Sequence, residues 1–117
     1  MPVREMILLL SLGYLSLPIM ADPIFNTPHD WFVATLQQGE TSGELRGAVA
    51  EYFTRELKSQ GTLRVKAKTM GALARPGCQR IQAVFTKEGV ETPQGVTEAI
   101  LTTEINYCLD GKPPVED

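Results

Sequence analysis

Two cysteines, one histidine, a pair of carboxylates and four basic residues are the parts of this chain that could do chemistry. Cys78 and Cys108 could form a structural disulfide or a redox couple. Redox couples lie close in sequence, as in Cys-x-x-Cys, and this pair is 108 − 78 = 30 residues apart. The spacing favours a structural bond. His29 is the sole histidine. It would need a neighbouring hydroxyl or thiol to act in nucleophilic catalysis, and no motif marks one. One histidine and two paired cysteines do not make a usual zinc site. No phosphate-binding glycine loop and no GxSxG turn occurs. Glu98 and Glu104 fall on one predicted strand, on one face but far apart. A glycosidase needs two carboxyls converging in a cleft, and this spacing implies none. The expectation is a non-enzyme without metal or cofactor.

Arg64, Lys66 and Lys68 alternate along a predicted strand, and Arg80 shares their face if the next strand lies alongside. This is a basic strip on a chain of net charge −3. It reads either as an edge strand guarded by lysines against aggregation or as a contact surface for an acidic partner or anionic polymer. The overall acidic balance gives no general attraction to nucleic acid or to an anionic membrane. The strip also lacks the interleaved aromatics of single-strand nucleic-acid binders.

The compartment bears on the cysteines. Arg4 precedes the apolar run MILLLSLGYLSLPIMA, which ends in a small residue. This is the layout of a secretory signal peptide over residues 1–21, cut after Ala21. Ser11, Gly13, Ser16 and Pro18 interrupt the run, and a spanning helix needs about 20 apolar residues. Cleavage leaves 117 − 21 = 96 residues, enough for one small domain (22–117). A periplasmic or secreted location follows, where two cysteines usually pair.

The elements that hold these groups follow from periodicity. Thr27-Pro28-His29-Asp30 reads as a helix start, with Trp31, Phe32 and Leu36 inward and a stop at Gly39. Thr41 and Glu44 have capping-box spacing. Leu45, Ala48, Val49, Tyr52, Phe53 and Leu57 then form one apolar stripe, which predicts a second helix ending near Gly61. Beyond it the period changes to two. Thr62–Thr69, Cys78–Thr86 and Thr97–Leu109 read as three strands of an antiparallel meander. The tail DGKPPVED reads as a turn and an extended end.

Opposing Cys78 to Cys108 sets the register of the last two strands. Ile81 then meets Ile105 and Phe85 meets Leu101 on one face, while Arg80 meets Asn106 and Gln82 meets Glu104 on the other. A slip of one residue would mix the faces. The fold expected is α+β: two N-terminal helices on one face of a three-stranded antiparallel meander, with one cross-strand disulfide on the polar face. The layout resembles cystatin-like and NTF2-like domains in architecture only, which carries no activity over.

The function expected is protein-protein contact. The chain would be an accessory factor of an envelope or secretion assembly, or a small inhibitor or immunity-type binder, with an envelope protein as partner. The alternatives are a small periplasmic hydrolase using carboxylates and a small-ligand carrier with a pocket between helix and sheet. A cleft with convergent carboxylates favours the first, an apolar internal cavity the second, and a flat face with a free sheet edge the binder.

Overall fold

The computed structural model describes residues 22–112. The expected leader (1–21) and the last five residues of the tail lie outside them. The elements in chain order are β1 (Ile24–Phe25), α1 (Pro28–Gln38), β2 (Glu40–Leu45), α2 (Ala48–Leu57), β3 (Leu63–Ala72), β4 (Cys78–Thr92) and β5 (Gly95–Cys108). They form a single mixed sheet of order β1-β2-β3-β4-β5. β1 runs parallel to β2 and every other neighbour pair is antiparallel. The expected three-stranded meander is therefore overturned: β3, β4 and β5 are joined by two further strands.

The difference arises at residues 40–45, which form a strand and not a helix start. Thr41 does not cap a helix. Its hydroxyl is buried, accepts from the Trp31 indole N–H at 3.2 Å, and bonds the Thr35 hydroxyl at 2.7 Å. Thr41, Gly43 and Leu45 point inward while Glu40 and Ser42 are exposed, a period of two that marks a strand. The capping-box spacing of Thr41 and Glu44 is fortuitous. α2 starts later, at Ala48, and stops at Lys58 in the left-handed region rather than at Gly61.

α1 forms where its signals lie. Thr27 Oγ1 accepts from the Asp30 amide at 3.1 Å, Pro28 takes the first turn, and Gly39 closes the helix at φ 88°. The core lies between the helices and the inner face of the sheet. Trp31 is fully buried among Phe25, Phe32, Leu45, Val65 and Ile81. Phe85 meets Trp31 edge-on and stacks on Phe53, so it ties both helices to β4. Burying an indole removes about 200 Å² from water, worth up to ~5 kcal/mol. This makes α1 the better anchored helix. α2 buries none of its residues fully.

The strands run longer than their clean alternation. β3 continues to Ala72 through a bulge at Met70, and β4 continues to Thr92 through a second bulge at Glu88 and Gly89. Gly89 takes φ 68°, which a bulge can demand and glycine supplies freely. A two-residue loop, Pro93-Gln94, then leads into β5. Lys87, just before the bulge, is buried on the inner face. Its ammonium donates to the Thr54 hydroxyl at 3.0 Å and to the Gly61 carbonyl, and so fastens the segment after α2 to β4. Burial pushes its pKa below the ordinary lysine value.

Candidate partner-binding surfaces

The disulfide joins the start of β4 to the end of β5. Cys78 and Cys108 are directly opposed in register, are bonded, and lie 4.0 Å apart between Cα atoms. They share the outer-face parity of Arg80 and Asn106, yet both are buried. With the Pro93-Gln94 loop at the other end, the bond closes the β4–β5 hairpin into a ring.

The four basic residues sit as follows. Arg64, Lys66 and Lys68 project from the exposed outer face of β3. β3 is flanked by β2 and β4, so it is not an edge, and the edge-guarding role for its lysines falls away. Arg64 is engaged: its Nε meets Glu88 at 2.7 Å and its Nη2 meets Glu98 at 2.8 Å. Lys68 lies opposite Glu40 on one side and Gln82 on the other, and Lys66 lies between Ser42 and Val84. Neither lysine forms an ion pair among the described residues. Arg80 lies beyond the β3 bulge and donates to Asn106 Oδ1 at 3.3 Å. The strip is thus two free ammonium groups and two committed guanidinium groups, bracketed by carboxylates on β2 and β5.

The sheet ends at β1, which is two residues long, and at β5, which is fourteen. Among the described residues β5 has no neighbour on its far side. Leu109 N donates to Gly77 O at 3.0 Å, which makes that pair hydrogen-bonded and the adjacent cysteine pair not. Alternation along an antiparallel ladder then turns the backbone N–H and C=O of Ile100, Thr102, Glu104 and Asn106 out of the sheet. Along this segment β5 contains no lysine, arginine or proline.

Beside that edge, on the helix side, α2 and β5 leave a cleft of about 300 Å³. Tyr52, Phe53, Glu56, Leu57, Ala99 and Leu101 line it. Tyr52 is 49% exposed and Leu101 50%. The stripe on α2 was legible in the sequence, but its incomplete cover was not. The open edge was also missed, and the absence of lysine and proline from GVTEAILTTEINYC was the available signal.

His29 Nδ1 lies 2.7 Å from the Tyr107 hydroxyl, and the Tyr107 ring packs against Phe32. Burial first, and Asp30 second, raise the Tyr107 pKa. Glu98 is bound to Arg64, and Glu104 lies opposite Gln82 on the outer face. Among the described residues no three His, Cys, Asp or Glu side chains gather as a metal site, and no helix is long and apolar enough to cross a membrane. Compared with known proteins, the chain matches no family model, no curated protein and no solved structure.

Proposed function

We propose that this is an exported, non-enzymatic protein that works by contact with another protein of the cell envelope. It would serve as an accessory factor of an envelope or secretion assembly, or as a small inhibitor or immunity-type binder. One observation carries this reading: a fourteen-residue edge strand left unpaired beside a half-covered apolar cleft. Long unguarded edges invite pairing with another chain, and partly exposed aromatics beside them add area to such a contact. The disulfide suits an oxidising compartment.

Affinity capture from crosslinked envelopes of the native cell tests the reading. One stoichiometric protein partner is expected, with crosslinks mapping to the outer sheet face or to β5. Recovery of the chain alone after efficient crosslinking would overturn it.

A further inference from the structure

We infer that β5 accepts an additional strand from a partner protein, and that this strand alternates apolar residues with lysine or arginine. The inference rests on the contact reading above and names the partner's chemistry. Three features converge on one edge.

The first is the row of outward backbone groups at Ile100, Thr102, Glu104 and Asn106. An extended segment can pair with them residue for residue. The second is the cleft. In an added strand, alternate side chains fall on the helix side of the sheet. Those next to Ala99 and Leu101 would meet Tyr52 and Leu57 and complete the apolar cover that α2 lacks. The third is charge. The outer-face side chains of an added strand would lie beside Glu98 and Glu104. Glu98 already shares Arg64 with Glu88, so two carboxylates compete for one guanidinium. Glu56 adds a carboxylate at the cleft rim. Lys66 and Lys68 are two strands away, about 10 Å across the ladder, and Arg80, on β4, reaches β5 only at Asn106, the end of the row away from Glu98. The edge therefore selects for cations.

A second copy of this chain is a poorer occupant. Two β5 strands centred antiparallel on Leu101 would set Glu98 opposite the copy's Glu104 at both ends of the pair. Like charges directly opposite are destabilising. Registers shifted by one hydrogen-bonded step still crowd four carboxylates along an edge whose own strands bring no cation. The same glutamates that hinder self-pairing favour a basic strand.

The test is amide hydrogen exchange and titration of the purified protein with short capped peptides. One alternates Val with Lys and the other Val with Glu. The Val–Lys peptide should slow exchange at Ile100, Thr102 and Glu104 by ~10-fold or more at saturation. The Val–Glu peptide should bind ~10-fold or more weakly by comparison. Thr102→Pro removes one outward N–H while sparing the ladder to β4, and should weaken the Val–Lys peptide by ~10-fold or more. Glu104→Lys changes an exposed side chain, should leave the melting temperature unchanged, and should abolish or invert the preference for the basic peptide. Equal binding of the two peptides, protection away from β5, no saturation at millimolar peptide, or dimerisation through β5 would each overturn the inference. If the Val–Lys peptide fails while an envelope partner is captured and then lost on Lys66→Glu/Lys68→Glu, the edge inference falls and the contact reading stands.

Discussion

Removal of the Cys78–Cys108 bond should cost this small fold a large share of its stability. The two cysteines close a ring with a sequence separation of 30. The chain-entropy relation gives about 12 cal/mol/K for a ring of this size, or about 3.6 kcal/mol at 25 °C. Unfolding entropy near ~2.1 cal/mol/K per residue, taken over roughly ninety residues, amounts to about 0.19 kcal/mol/K. The melting temperature of a Cys78→Ser/Cys108→Ser variant should therefore fall by about 19 °C. With a urea m-value of about 1–1.5 kcal/mol/M, the midpoint should fall by about 2.5–3.5 M.

The assay is thermal and urea unfolding followed by far-UV circular dichroism. Oxidised protein, reduced protein and the double serine variant are compared. Reduced protein and the variant both lose the ring, and the variant should melt at or below the reduced protein, because each serine puts a smaller, polar hydroxyl where a buried sulfur stood. Their m-values should exceed that of the oxidised form, since the unlinked unfolded chain exposes more surface. A variant melting within ~5 °C of the oxidised protein would refute the reasoning. The β4–β5 pairing would then hold without its clasp, and the unfolded chain would already keep the two strands together.

Thr41→Val removes the acceptor of the buried Trp31 N–H and one partner of Thr35, and should cost about 1–3 kcal/mol in urea unfolding with no change in fold. Lys66→Glu/Lys68→Glu should shift stability by less than ~1 kcal/mol, because both side chains are exposed and form no ion pair among the described residues. If the outer face meets an acidic surface of the partner, the same reversal should slow association and alter its salt dependence in binding kinetics. Lys87→Met should flatten the alkaline limb of the stability profile. Burial lowers the folded pKa of Lys87, so the unfolded chain holds that proton more tightly, and stability rises with pH between the lowered value and the ordinary ~10.4. Urea unfolding of wild type and Lys87→Met at neutral and alkaline pH measures the difference. An identical slope in the two proteins would contradict it.

The legible parts of the fold were those in which one local pattern had no rival. Thr27, Pro28 and Gly39 bracket α1, and their chemistry is confined to the backbone they cap. The β4–β5 register followed from two cysteines and a run of alternating residues, and it appears with the pairings expected. β2 was not legible, because Thr41 and Glu44 satisfy a helix-start pattern and a strand pattern equally. What decides between them is the Trp31 indole, ten residues earlier, which needs Thr41 in the core. That is a contact between two elements, and the periodicity of neither one encodes it. The misassignment then propagated. Without β2, β3 looked like an edge, and its lysines looked like guards.

The corrected topology exchanges the roles of the two ends of the sheet. β3, rich in cations, is central and already hydrogen-bonded on both sides, so a partner can reach it only face-on, through side chains. β5, rich in threonine and branched apolar residues and free of cations, is the edge. It offers backbone as well as side chains. A face-on contact through Lys66 and Lys68 would be steered by charge and weakened by salt. An edge contact through Ile100 to Asn106 would draw on backbone hydrogen bonds and apolar cover, which salt screens far less. The hairpin ring bears on the second mode. A strand pinned by a disulfide at one end and a tight turn at the other loses little further freedom when a neighbour pairs with it, so less binding energy is lost to ordering. If the edge contact operates, stability and recognition meet in the same strand: the bond that clasps the hairpin also holds the long β5 edge straight.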